Sequence, residues 1–272
     1  MGTADDDTFY PGGGWDVVEG GLGIDTVVVI GRSSQFKLVF ENGVTYIDAL
    51  SGASAMTERT ELINVELVQF LDKTVNLVAN DTFKGQPGTD LIDGGLGTDT
   101  VVYSGPLKQY TVNKSGSRYI VSEPTGSDDT DYLTNIERLK FSDKSIALDL
   151  DGNAGTTAKI LGAVFGKDAV NNKNYVGIGL NFLDTGWSYD NLAGLALEAA
   201  GAKTNDQIVS LLWTNVIGTK PTAADKQPFI ALLENGMTAG ALAHLAADSS
   251  FNTTNINLVG LAQTGIEYMP VS

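Results

Sequence analysis

"GGLGIDTVV" occupies residues 20–28 and "GGLGTDTVV" residues 94–102, and the two differ only at Ile24 against Thr98. Working outward, the same 74-residue step pairs Asp7-Thr8-Phe9 with Asp81-Thr82-Phe83, Asp16 with Asp90, and Phe36 with Tyr110. At a step of 71, "LINVELVQFLDKTVNL" (62–77) meets "LTNIERLKFSDKSIAL" (133–148), aligning Asn64 with Asn135, Glu66 with Glu137 and Phe70 with Phe141. The first half is therefore two copies of one module, and such a repeat has to be found before any fold is assigned.

Inside each copy the period is nine. Asp7, Asp16 and Asp25 are evenly spaced, as are Asp81, Asp90 and Asp99, and two residues after each stands an apolar side chain: Phe9, Val18, Val27, Phe83, Ile92, Val101. Glycine turns alternating with short strands at this period read as half-coils of a parallel β-roll, each strand burying one apolar residue. Two half-coils make 18 residues, so Asp7 and Asp25 share an edge, as do Asp81 and Asp99. Stacked strands lie about 4.8 Å apart, and carboxylates that close repel unless a cation sits between them. Glycine lets the turn point carbonyl oxygens inward, and six to eight hard oxygens suit Ca²⁺. The predicted metal-binding residues are Asp7, Asp16, Gly20, Gly21, Gly23, Asp25, Asp81, Asp90, Gly94, Gly95, Gly97 and Asp99, with Ca²⁺ as the cofactor. For one nonapeptide, Gly and Asp that simply make tight turns explain as much. The duplicated period is what favours calcium.

These stretches, with the looser "PGGGWDVVE" and "GQPGTDLID", resemble the RTX nonapeptides of bacterial proteins exported by type I secretion, G-G-x-G-x-D-x-apolar-x. The resemblance implies aspartates and turn carbonyls that bind calcium, and a chain that folds on meeting it outside the cell. Departures are Pro11 for the first glycine of one copy, and Gln86-Pro87 in another. Asp16 and Asp90 lack an acidic mate 18 residues on, where Ser34 and Lys108 stand, so one good site per module is expected. "ENG" (41–43) and "KSG" (114–116) read as hairpin turns, and "GSDDTD" (126–131) as a solvated loop rather than a further cation site.

At "LDLDGNAG" (148–155) the composition turns Ala- and Leu-rich. Asp149, Asp151 and Asn153 imitate the start of an EF-hand loop, but the twelfth position is Ile160 rather than Glu, so the segment reads as a hinge. Beyond it the periodicity is helical, with caps expected at Thr204 or Asn205, Thr222 and Thr238 and stops at Gly218 and Gly236. "FLDTGWSYDNLAGLALEA" (182–199) is echoed by "LLENGMTAGALAHLAADS" (232–249) at a 50-residue period. From about Asp149 to Met269 the chain resembles the helical domain of unknown function that often follows RTX-like modules, distantly like phycobilisome linkers. That family's Arg-x-Pro-Asp loop is replaced here by Lys167-Asp168-Ala169 and Thr219-Lys220-Pro221. The resemblance implies an extracellular interaction or scaffold role.

The expected fold is thus α+β in two parts: duplicated short parallel β-roll or β-sandwich-like calcium modules at 1–78 and 79–150, then an all-α helical-repeat domain at 151–272. The formal charge is −16, and residues 1–151 hold 24 Asp+Glu against 11 Lys+Arg. Such a surface repels nucleic acid and anionic membranes and attracts cations. No apolar run approaches the length of a membrane span, and no amino-terminal signal pattern is present. With no cysteine and one histidine, His244, thiolate chemistry is excluded. No GxSxG, HExxH or phosphate loop occurs, so the chain reads as no enzyme.

The reading is the carboxy-terminal part of a secreted or cell-surface bacterial protein, calcium-folded, serving export, stability and attachment, with "GIEYMPVS" (265–272) contributing to an uncleaved export signal. A self-assembling surface-layer or matrix protein is the second reading. The third is a carbohydrate-binding or polysaccharide-modifying protein, for which Trp15 is the residue to test. Expected partners are accordingly calcium and either cell-surface polysaccharide or further copies of the chain.

Overall fold

A computed structural model describes residues 1–41, 44–50, 59–85, 88–123 and 130–271. The first copy contributes β1 (Thr8–Phe9), β2 (Asp16–Glu19), β3 (Thr26–Val28), β4 (Phe36–Glu41), β5 (Val44–Ala49), β6 (Arg59–Ile63), β7 (Leu67–Gln69) and β8 (Thr74–Asn76). They form two four-stranded sheets, ordered β1-β3-β7-β8 and β2-β6-β5-β4. The 18-residue step is visible as the parallel register Thr8↔Thr26 and Phe9↔Val27. The next rung is supplied by β6 and β7, which run parallel to β2 and β3. The remaining pairings, β4 with β5, β5 with β6 and β7 with β8, are antiparallel. Each copy is therefore a pair of mixed sheets. Alternation along the strands turns Val18, Val27, Ile47, Leu62 and Val68 into one core with Phe36 and Phe70.

The second copy repeats this order with β9 (Thr82–Lys84), β10 (Leu91–Asp93), β11 (Thr100–Val102), β12 (Thr111–Ser115), β13 (Arg118–Ser122), β14 (Thr130–Thr134), β15 (Arg138–Lys140) and β16 (Ser145–Ala147). Its core is Val101, Tyr103, Tyr119, Val121, Leu133, Leu139 and Phe141. The KSG turn joins β12 to β13 as expected, with Gly116 at φ +63°. Asn42 and Gly43 of the ENG turn, and residues 126–129 of the acidic loop, lie outside the described residues.

Eight helices follow: α1 (Asn153–Phe165), α2 (Lys173–Asp184), α3 (Tyr189–Ala199), α4 (Asn205–Ile217), α5 (Ala223–Glu234), α6 (Ala239–Ala247), α7 (Ser250–Asn255) and α8 (Leu258–Thr264). Thr204, Thr222 and Thr238 cap α4, α5 and α6 through their side chains, and Gly218 stops α4 in the left-handed conformation. The 50-residue echo becomes two like corners. α2 turns into α3 at Gly186 and the Ser188 cap, α5 turns into α6 at Gly236 and the Thr238 cap, and α3 packs on α6.

Two expectations change. The last part is not all-α, because the chain ends in strand β17 (Ile266–Tyr268), antiparallel to β16, with Ile266 buried and Glu267 ion-paired to Lys144 and Lys173. Most of the "GIEYMPVS" segment is thus built into the fold. Nor is "LDLDGNAG" a hinge. Leu148 and Leu150 are buried, and Arg138, 4% exposed, ties the segment down. Its Nη1 donates to Asp149 and to the Glu137 carbonyl, and its Nη2 donates at 2.9 Å to both oxygens of Asp184. The guanidinium is the positive partner of Asp149, the first residue of the EF-hand-like triplet, while burial holds the Asp149 carboxyl above the usual carboxylate range.

By internal contacts the chain divides into two compact units, Met1–Thr82 with Asp93–Asp99, and Phe83–Ile92 with Thr100–Ser272. Arg138→Met leaves Asp149 and Asp184 uncompensated, and urea denaturation is expected to show the second unit less stable by about 3 kcal/mol.

Candidate functional site: a stacked carboxylate edge

The turns between the sheets stack the aspartates in columns. In the first copy the Asp25 Oδ1 accepts the backbone N–H of Asp7 at 2.8 Å, and Glu66 Oε2 accepts the N–H of Asp25 at 2.7 Å. Each carboxylate thus sits on the backbone of its neighbouring rung. The second copy repeats the step, with Asp99 Oδ1 accepting from Asp81 N–H at 2.7 Å. These N–H groups answer part of the expected repulsion between stacked carboxylates, because hydrogen bonds to a charged acceptor are strong.

They do not answer all of it. Asp25 is fully buried, and its Oδ2 has no hydrogen-bond partner. Beside it lies Gly20, whose missing side chain is a requirement of space: a Cβ there would stand 1.9 Å from the Asn64 carbonyl oxygen and 2.4 Å from Asp25 Oδ2. The arrangement recurs one rung earlier, where a Cβ on Gly2 would meet the Gly20 carbonyl oxygen at 1.7 Å and Asp7 Oδ2 at 2.9 Å. There Asp7 Oδ2 is already satisfied by the Thr3 N–H and hydroxyl at 2.6 and 2.9 Å, and these bonds hold the Asp7 carboxyl below its ordinary range. A buried carboxyl oxygen without a donor, close to a carbonyl oxygen beside a glycine, carries a desolvation cost that no donor in the protein offsets.

Of the other expected residues, Gly21, Gly23, Gly95 and Gly97 lie in the turns with φ of +114°, +112°, +82° and +131°. Gly94 precedes Gly95 in the same turn. Asp16 opens β2 beside Thr60 of β6, with a buried, unpartnered Oδ2. Asp90 is brought to a different partner, its N–H donating to Asp131 Oδ1 at 3.1 Å, while Asp131 Oδ2 accepts from the Tyr103 hydroxyl at 2.9 Å. Asp131 is thus held by donors rather than poised for a metal. Among the described residues no three acidic or histidine side chains form a group that could hold a metal ion, so a cation on this edge would draw most of its ligands from backbone carbonyls.

Sequence reasoning missed Glu66 as the third rung of the column. The signal was present in the alignment of Glu66 with Glu137 and Asn64 with Asn135. Asn64 and Asn135 both adopt positive φ, +49° and +51°, so N-x-E replaces G-x-D in a turn three residues shorter. It likewise passed over "GTADDD" (2–7), which stacks on Gly20–Asp25, with Leu22 N–H donating to the Thr3 carbonyl and Ile24 N–H to Asp6 Oδ1.

The family model of the RTX calcium-binding nonapeptide repeat matches in four copies, at residues 1–27 and 79–102. These stretches carry the RTX repeat. The match takes in the GTADDD turn as well as both GGLGxD turns, and it is to a calcium-binding repeat, not to an enzyme. No curated protein matches the chain. No helix among the described residues is long and apolar enough to cross a membrane.

Burial, with the charges of Asp81 and Asp93, raises the Asp99 carboxyl to about 6 against the opposing Asp81 N–H bond. Between about pH 4 and that value the folded protein therefore holds a proton that the unfolded chain has released. In chelator, stability is expected to fall as pH rises through this window, by on the order of 3 kcal/mol. Far-UV circular dichroism of the chelator-treated protein from about pH 4 to 7 checks this, as a loss of β structure with rising pH that Asp99→Asn removes.

Proposed function

We propose that residues 1–150 are two RTX-type calcium modules, 1–78 and 79–150, which with the helical part at 151–272 belong to a secreted or cell-surface protein that folds on Ca²⁺. The observation that carries this is the buried Oδ2 of Asp25, without a donor, against the Asn64 carbonyl oxygen across Gly20. Asp25 and Asn64 of the first copy are the residues that would hold the ion, with Asp99 and its turn as their counterpart in the second. Calcium, when bound, supplies the positive charge the stacked edge lacks. The chain's own residues aim the oxygens and keep water from Asp25.

The two parallel rungs at an 18-residue step are the beginning of a β-roll, closed off by antiparallel strands. In a calcium-poor cytosol the acidic first half stays expanded by self-repulsion. Outside, ion binding becomes folding free energy, which fits export by a type I route. The helical part serves attachment or scaffolding and has no reaction of its own. Its single histidine supports this, since both His244 nitrogens are engaged, Nδ1 with Asp190 at 2.7 Å and Nε2 with Asp248 at 3.2 Å.

Calcium titrated into chelator-treated protein, followed by far-UV circular dichroism and calorimetry, is expected to give a cooperative gain of β structure with heat. Asp25→Ala combined with Asp99→Ala is expected to abolish both. A folded apo protein with no calcium heat would overturn the proposal.

A further inference from the structure

The duplication provides an internal control on the outer faces of the sheets. In the first copy, cross-strand pairing sets Lys37 beside Asp48 and Asp48 beside Arg59. The register Asp16↔Thr60 brings Trp15, one residue before β2, next to Arg59. In the second copy the same row is Thr111, Ser122, Thr130 and Thr89. The sheet therefore builds without an aromatic ring or an ion pair on this row, and the first copy carries both.

Trp15 is 63% exposed. With Asp48, Ala49 and Arg59 it walls a shallow open depression of about 430 Å³. Arg59 is held in place, donating through Nε and Nη2 to the two oxygens of Asp48 at 2.6 and 2.8 Å, with its guanidinium 4.5 Å from the centre of the Tyr46 ring. Each carboxylate oxygen has lone pairs beyond the one Arg59 uses. The result is an exposed indole beside a fixed carboxylate–guanidinium pair, and that pair is arranged before any ligand arrives, so its own ordering cost on binding is small.

We propose that this row binds the pyranose rings of a neutral polysaccharide. A sugar ring offers an apolar C–H face to the Trp15 indole and, at its rim, hydroxyls that donate to Asp48. Residues 1–78 hold 12 Asp+Glu against 4 Lys+Arg, a field that repels polyanions, which selects uncharged chains over uronate polymers or nucleic acid. One exposed ring, with charged neighbours and Tyr46 lying against the Arg59 guanidinium, is also a poor match to the apolar centre of a protein interface.

Affinity electrophoresis of the full chain in calcium, through gels containing amylopectin, mixed-linkage β-glucan or galactomannan, with alginate as the acidic comparison, tests this. Retardation by at least one neutral polymer is expected. Trp15→Thr, the residue of the second copy, weakens it by about tenfold or more, while Trp15→Tyr, which keeps a ring, stays within about threefold. Circular dichroism in calcium identifies variants that keep the parent fold, and Asp48→Ser with Arg59→Thr provides a second loss-of-binding variant built from the other copy's residues. No retardation by any neutral polymer, retardation by alginate alone, or retardation unchanged in Trp15→Thr would overturn the proposal.

Discussion

The first module rests on one repeated interaction, a carboxylate of one rung accepting the backbone N–H of the rung before it. Asp25 on Asp7 and Glu66 on Asp25 lock the turns into a column, and the strands that leave those turns inherit the register Thr8↔Thr26 and Thr26↔Leu67. The cost of the device is a buried anion. One Asp25 oxygen has its donor and the other has none. Glycine at position 20 gives that second oxygen its room and brings a carbonyl oxygen beside it, so the column concentrates negative potential that the protein itself leaves uncompensated.

The second unit meets the same kind of problem with a resident cation. Asp149 and Asp184 converge on Arg138, and Asn153 also donates to Asp184 at 2.8 Å. A guanidinium supplied by the chain needs no ion from outside, which explains why an EF-hand-like triplet ends as a structural joint. The Tyr119 hydroxyl, 3.0 Å from the carbonyl oxygens of both Leu148 and Ala262 and sharing its one proton between them, adds a second tie between the strands and the last helix. Two carboxylate clusters in one chain thus have opposite characters, one closed by arginine and one with a buried carboxylate oxygen that has no donor.

Much of this was legible in the residues. The spacing of Asp7 and Asp25 sets the parallel step, and the alignment of the two copies gives the repeated strand order. Capping threonines give the starts of α4 to α6, and stop glycines mark the ends of α4 and α5. What escaped depends on contacts distant in sequence or on residues that substitute for one another. Asn64 takes a glycine's conformation and Glu66 reaches where an aspartate was expected, so the third rung does not look like a nonapeptide. Strand β17 is short and adjoins β16 only after more than a hundred intervening residues, and no local pattern distinguishes it from a tail. The role of Arg138 is hidden for the same reason, since Asp184 lies at the far end of α2.

The account turns on whether a cation completes the Asp25 column. A crystal structure grown with calcium tests it most directly. The account predicts an ion within about 2.3–2.6 Å of Asp25 Oδ2 and the Asn64 carbonyl oxygen. Calcium-replete crystals with no ion there, and Asp25 Oδ2 instead satisfied by a hydrogen-bond donor, would contradict it.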